Sequence, residues 1–339
     1  MSSSPSGPVL VEALRGEMVE SRHCGAYAVV DAAGGVVLAR GDIEHPVYAR
    51  SAIKPLQALP LLETGTAEHY RLGVKEIALA CASHDGTPAV AAAVDAWLER
   101  IGLRPDDLEC GAVPPLDSAA AQALIRAGQA PSPLHNNCSG KHAGFLSTAS
   151  HGGEPTRGYI DAEHPVQRRV RATLSSMTGL DLERAPHGID GCGIPVIGIP
   201  LKALARAMAR LADPAGLAAE RAAAAARILD AMGAEFLIVA GASGFTREVM
   251  RVGGAMVRLK PGAEGVFCAA LPQQGLGIAL KISDGAGRAA DVAMGALLVR
   301  LGMLDPAQAA ALEAVLRPPI KNVAGHVVGQ LRPVPAAFQ

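Results

Sequence analysis

Aromatic residues are scarce in this chain: one Trp, four Tyr and five Phe among 339 residues. That argues against the stacked-ring platforms that hold nucleic-acid bases and against carbohydrate-type aromatic clefts. A surplus of either charge is also missing. Lys and Arg number 31 against 32 Asp and Glu, so nothing announces a nucleic-acid or anionic-membrane partner. The six cysteines, Cys24, Cys81, Cys110, Cys138, Cys192 and Cys268, include no C-x-x-C pair and no disulfide-scaffold spacing. The N-terminal stretch has neither a basic segment nor a long apolar one, so no secretory leader is read there. No run of 18 apolar residues occurs, and an ordinary membrane span is not expected. Together these point to a soluble cytoplasmic protein with reduced thiols. What the chain has in plenty is apolar residues, at 50%, with only 19% charged. It is too apolar for disorder and long enough for a large core. Its 38 glycines exceed the usual share of about 7% and announce tight turns and close backbone approaches.

Residues 1–8 are rich in Ser, Pro and Gly and read as a disordered tail. From residue 9 to 339 no composition shift marks a linker, so a single catalytic domain is expected, with two subdomains left open. Tyr27 to Ala39 reads as a hairpin turning at Asp31 to Gly35. Ser51 to Glu63 is helical, and Lys75 to Cys81 is a short strand or the start of a buried helix. Val90, Val94, Trp97 and Leu98 give helical spacing over 88–101, and 131–141 reads as a polar loop. His164 to Met177 is a helix with Gly179 just past its end. An Ala-rich helical stretch runs from about Leu201 to Ala231, broken at Asp213-Pro214. Strands are expected at Met250–Leu259, Val266–Ala270 and Gly275–Ile282, then a helix at Asp291–Leu301. A sheet built from both chain ends with helices gathered between is an α/β or α+β arrangement.

Five local constellations carry enough chemistry to consider. Ser51 and Lys54 stand at i and i+3, on one face of a helix. Pro55 has no N–H and so belongs to a first turn, which puts Ser51 near the helix N-terminus, where the dipole favours a developing alkoxide. A desolvated Lys can serve as base to such a Ser. This S-x-x-K spacing occurs in β-lactamases and penicillin-binding proteins, although a surface Ser beside a salt-bridging Lys has the same pattern. Cys81-Ala82-Ser83-His84-Asp85-Gly86 is either a functional loop or an Asp-Gly turn. His135 to His142 is dense in donors, acceptors and a thiol, and Gly188 to Gly193 has three glycines around Asp190 and Cys192. Cys138 and Cys192 have the chemistry to bind a soft divalent metal, or to be two structural thiols. Finally, Lys260-Pro261-Gly262 is a partial match to the K-T-G element that accompanies S-x-x-K. S-D-N is absent, and Ser83 is the natural candidate for its place.

Taken together, these segments resemble the asparaginase II family, the Rhizobium etli-type or class 3 L-asparaginases. The resemblance is carried by HPVYARSAIKPLQALPLLETG, CASHDG, NNCSGKHAGFL, HPVQRRV, IDGCGIP, the long stretch from Lys260 to Ala289, and IKNVAGHVVG, in family order from about residue 8 to 335. It implies a serine-β-lactamase-like fold with a central sheet, helices on both sides and an Ala-rich helical region. It also implies a homodimer that hydrolyses the side-chain amide of L-asparagine. It carries over two Ser–Lys tandems, Ser51 with Lys54 and Ser83 with Lys260. It implies a zinc ion held by Cys138, Lys141 and Cys192, with Asp190 beside it. Arg50 and His142 are further candidates to hold the substrate α-carboxylate. Two departures stand out: Gly241 to Thr246 lacks the Arg and Asp of relatives, and Thr87 replaces a frequent Glu. Two rival functions follow, a β-lactamase- or peptidase-like Ser–Lys hydrolase, and a catalytically weak homologue that binds an amino acid or a metal.

Overall fold

The computed structural model describes residues 7–339, so most of the expected tail lies outside the described residues. The chain forms two compact units. One comprises the chain up to Ala52 together with Ile199–Asp213 and Gly244–Gln339; the other comprises Ile53–Gly198 and Pro214–Ser243. Among the described residues no helix is long and apolar enough to cross a membrane.

In chain order the strands are β1 (Val9–Arg15), β2 (Met18–Asp31), β3 (Val36–Arg40), β4 (Pro46–Tyr48), β5 (His187–Ile189), β6 (Pro195–Pro200), β7 (Arg258–Pro261), β8 (Val266–Leu271), β9 (Leu276–Ile282), β10 (Pro319–Lys321) and β11 (Val327–Pro333). The first unit is organised on a sheet of order β10-β11-β1-β2-β9-β8-β7, with β3 also pairing β2. The pairs along it are antiparallel, and Val11 of β1 stands opposite Pro333 of β11, so the two chain ends meet in the sheet. The expected hairpin is present. Asp31 holds its turn by accepting from the N–H groups of Gly34 and Gly35, both at 2.8 Å.

Every residue of β8 is buried. Side chains alternate between faces along a strand, so unbroken burial means that both faces are covered. The register identifies the covers. Gly277 lets the helix Leu201–Ala212 approach one face so closely that a Cβ there would lie 2.0 Å from the Ala205 carbonyl oxygen. Phe267, opposite Leu280 and therefore on the other face, packs on Phe245, whose ring touches Gly295 of the helix Gly287–Arg300. Of the two arrangements the sequence left open, α/β and α+β, the antiparallel sheet is that of the second.

One expected strand is corrected. Met250 begins no strand; the helix Gly244–Gly253 runs through it, a 3-10 turn follows at Gly254–Met256, and β7 starts only at Arg258. Phe245, Thr246, Val249, Met250 and Gly253 are its buried residues, a helical period that the short apolar run had masked.

The second unit is mainly helical. Its centre is the helix Val74–Cys81, where Ile77 to Cys81 are all buried. The two-way expectation for that stretch therefore resolves to a helix. Against it pack the helices Ser139–His151, Ala219–Ala234 and Phe236–Ala240. Gly140 makes one of these approaches possible, since a Cβ there would lie 2.5 Å from the Leu79 carbonyl oxygen. The single Trp, Trp97, is fully buried and donates to Ser147 Oγ at 3.0 Å, tying Pro88–Arg100 to Ser139–His151. The polar stretch 131–141 is not all loop. A 3-10 turn occupies Pro133–His135 and the helix already begins at Ser139.

Candidate active site

Lys54 opens the short helix Lys54–Gln57, directly after the 3-10 turn Arg50–Ile53, and Pro55 sits in its first turn, where no N–H is needed. The side chain is 1% exposed. Its Nζ donates to the Ala82 carbonyl at 2.6 Å, to Ser83 Oγ at 3.1 Å and to the Asn137 carbonyl at 3.3 Å. Burial is the largest influence on Lys54 and lowers its pKa; the Cys138 sulfur opposes this and the Lys141 cation adds to it. A lysine with a depressed pKa and a hydroxyl in reach has the makings of a general base.

Ser83 follows the helix Val74–Cys81 because Ala82, at the C-cap, turns extended and releases the chain. The next residue anchors the loop. Gly86 N–H donates to His84 Nδ1 at 3.2 Å, so Nδ1 is an acceptor and Nε2 carries the proton. Nε2 then donates to Ser139 Oγ at 2.8 Å, and that hydroxyl donates to the Leu134 carbonyl at 3.1 Å. Burial, seconded by the Lys54 charge, lowers the His84 pKa to about 4. Gly241 closes over the same loop: with φ +53, its Cα lies so near that an added Cβ would be 2.1 Å from the Ser83 carbonyl oxygen.

Cys138 caps the helix Ser139–His151. Its N–H donates to Asn136 Oδ1 at 2.9 Å, while Asn136 Nδ2 donates to the carbonyls of Cys110 and Gly111 at 2.8 and 3.1 Å. Cys192 lies at the tip between the paired strands β5 and β6. There Gly193, at φ +89, closes a turn by donating to the Asp190 carbonyl at 2.9 Å. Lys141 Nζ is 3.1 Å from Cys192 Sγ. The Cys192 thiol bonded to Cys138 holds Cys138 well below the usual thiol range, and the same bond, with burial, pushes Cys192 up. Burial works against charge on Lys141, but Cys138 and Cys192 outweigh it and its pKa is raised, with Asp190 contributing in the same sense.

Two thiols and an amine therefore converge in a buried spot. No group of three His, Cys, Asp or Glu side chains able to hold a metal occurs among the described residues. The donor set is instead two sulfurs joined by a lysine nitrogen, which suits a borderline-soft divalent cation with a position left open.

His142 is fully buried, and burial holds its pKa well below the imidazole range. Its Nδ1 is 2.8 Å from the Tyr159 hydroxyl, which also accepts from the Glu109 N–H at 2.8 Å. The phenol proton goes to Nδ1, so Nε2 bears the imidazole hydrogen, and that buried donor has no partner.

The helical unit thus brings together Lys54, Ser83, Cys138, Lys141 and Cys192, with Asp190 contributing to the charge of Lys141. His142 lies in the same unit, and the remaining expected residues, Arg50, Ser51 and Lys260, belong to the sheet unit. Ser51 is half-buried in the 3-10 turn and Arg50, just before it, holds a left-handed φ of +51°. Lys260 is fully buried in β7, opposite Cys268, and donates to the Pro261 carbonyl at 2.9 Å. Gly262 packs against the Ser51 segment: a Cβ there would be 2.7 Å from the Ala49 carbonyl oxygen and 3.1 Å from the Ala52 nitrogen. Sequence reasoning missed Tyr159, for which a lone Tyr in a loop offers no signal. It also passed over Asn136 and Ser139, although both lie inside the motif that drew attention to Cys138.

A family model described as L-asparaginase II matches residues 11–333. Among curated protein sequences none matches. Solved structures similar to this chain include Mglu, at 14% identity and TM-score 0.48, covering 82% of this chain and 67% of that one. A β-lactamase from Mycobacterium bovis is 16% identical with TM-score 0.40, covering 81% of this chain and 94% of that one. The LovD6 mutant of simvastatin synthase from Aspergillus terreus is 11% identical with TM-score 0.42, covering 80% and 88%.

Proposed function

Because this chain belongs to the L-asparaginase II family, we propose that it cleaves the side-chain amide of L-asparagine to L-aspartate and ammonia, with Ser51 as nucleophile. Ser51 Oγ attacks the amide carbon and its proton passes to neutral Lys54. Backbone N–H groups at the start of the helical segment receive the oxyanion. Ser83, with Lys260, returns a proton to the nitrogen as ammonia departs. Water then cleaves the aspartyl ester and regenerates the Ser51 hydroxyl. The observation that carries this reading is the buried, pKa-lowered Lys54 bonded to Ser83 Oγ. That bond connects the base that takes the proton to the hydroxyl that gives it back.

The unpartnered His142 Nε2–H and the Arg50 guanidinium are assigned to the substrate α-carboxylate, and Asp190 to its ammonium. Cys138, Lys141 and Cys192 would hold zinc, which would supply fixed positive charge that orients the substrate. Lys141 loses its proton to ligate, so zinc and protons compete for this spot. The reading also carries a homodimer in the cytoplasm, which sedimentation and fractionation test.

The decisive experiment is ammonia release from L-asparagine and from L-glutamine, with and without added zinc. Release from asparagine is expected, and Ser51→Ala should lower it by about 10³-fold or more. Near-full activity of that variant would remove Ser51 as nucleophile, and nitrocefin hydrolysis in place of ammonia release would favour the β-lactamase-like alternative.

A further inference from the structure

The helical unit also contains a preformed cavity of about 140 Å³. Its floor is aliphatic: Ile53, Val170, Leu174 and Ile197 are each 8% exposed or less. One polar group interrupts this floor. Gln57 lines the cavity and is only 7% exposed; its carboxamide makes no hydrogen bond to the described residues and its polar atoms are open to the cavity rather than sealed from it. Buried amides are ordinarily paired, because an unmet donor and acceptor are costly. Gln167, 4% exposed, commits its amide N–H to the Tyr159 carbonyl at 2.9 Å, leaving its amide oxygen over as an acceptor.

The rim selects by charge. Glu163, Glu183 and Arg171 border the cavity. The Arg171 guanidinium lies 2.9 Å from Glu183 and 3.7 Å from Glu163. The one rim guanidinium is already answered, and two carboxylates outnumber it, so an entering anion meets net repulsion.

We propose that this cavity is a binding site for a small neutral aliphatic carboxamide. Its amide pairs with the Gln57 carboxamide, donor to acceptor and acceptor to donor, and its hydrocarbon part fills the aliphatic floor. A cavity of about 150 Å³ accepts a molecule the size of benzene, which sets the ligand at about six non-hydrogen atoms. Ile53 and Gln57 bracket Lys54 in sequence, and Gln57 also borders a small cavity that reaches Lys141. A molecule seated here rests on the turn that carries Lys54. Binding itself does not depend on the asparaginase reading.

The test is ligand-detected NMR or calorimetry on the full chain with isobutyramide, using isobutyrate as the charged control of the same shape. Saturable binding with a Kd on the order of 1–10 mM is expected for a ligand this small, with isobutyrate at least about tenfold weaker. Gln57→Leu should weaken isobutyramide binding about tenfold or more, yet melt close to the parent, because the amide it removes makes no hydrogen bond to the described residues. Ala162→Phe, at a half-buried residue of the lining, should block the cavity from its edge. Ser51→Ala should bind isobutyramide as the parent does, whether or not the parent releases ammonia from asparagine. The proposal is overturned by no saturation up to about 0.1 M, by equal binding of isobutyrate, by displacement with L-aspartate, or by unchanged binding in Gln57→Leu.

Discussion

Gly241→Ala is expected to displace Ser83, more than 150 positions away in sequence. Gly241 ends the short helix Phe236–Ala240 at φ +53 and ψ −127, a conformation that side-chain-bearing residues rarely adopt. Its Cβ would stand 2.1 Å from the Ser83 carbonyl oxygen and 3.1 Å from both the carbonyl carbon and Cα of His84. Ordinary van der Waals contact begins at 3.4 Å, so the two backbones must part by more than 1 Å. No flexible side chain can absorb that, since the obstructing atoms are main chain. The unfavourable φ costs about 1–2 kcal/mol and the overpacking about 1–3 kcal/mol more. A shift of that size also carries Ser83 Oγ out of its 3.1 Å bond with Lys54. A displacement of about 1 Å at a reacting group lowers turnover by about 10²-fold. The assay is kcat and KM for ammonia release beside a thermal melt. Gly244→Ala is the control, because a Cβ at Gly244 meets nothing within 4 Å and opens the helix Gly244–Gly253; its activity and melting point should hold. If Gly241→Ala keeps kcat within about twofold and melts with the parent, the reasoning from this contact is wrong.

Other outcomes follow from the charges. Burial raises the Asp291 pKa from 3.8 to about 7, so the folded state holds that proton more tightly than the unfolded chain. The stability this contributes at low pH is lost as pH rises from about 4 to 7, a change of about 4 kcal/mol; Asp291→Asn should therefore raise Tm more at pH 8 than at pH 4. His84 has the opposite sign: its folded pKa of about 4 lies below the ordinary 6.5, so stability should fall as pH drops through that interval, by about 3 kcal/mol, and chemical denaturation at a series of pH values reads it. Lys54 must be neutral to act, so turnover should fall on acidification, and Lys54→Arg, which cannot surrender a proton, should be inactive at every pH while still melting cooperatively. Cys138→Ser should lower zinc retained on equilibrium dialysis, whereas Cys268→Ser, in the sheet, should not.

Elements with local punctuation were legible in the sequence. The helix at 165–178 begins at Pro165 after a His164 cap and ends on Gly179 in a left-handed conformation, as its Pro and Gly require. Asp213-Pro214 separates the two Ala-rich helices, and Asp31 to Gly35 makes its turn. What failed were segments whose type is set by what covers them. Met250 looked like strand because its neighbours are apolar, but the face it shares with Phe245 and Val249 is buried. Ser139 starts a helix among loop-forming residues because Gly140 can lie directly against Leu79.

The candidate site divides in the same way. Motifs named Lys54, Ser83, Cys138, Lys141 and Cys192 as single residues, and the fold of the helical unit brings all five close. The motifs did not announce that Lys54 also donates to the Ser83 hydroxyl, at 3.1 Å. That bond exists because Ala82 turns extended after a helix and Gly241 presses on the loop from the far side of the chain's central segment. Side-chain chemistry is written locally and survives a reading residue by residue. The ångström-scale placement of Ser83 against Lys54 depends on glycines distant in sequence, and these carry no chemistry to announce them.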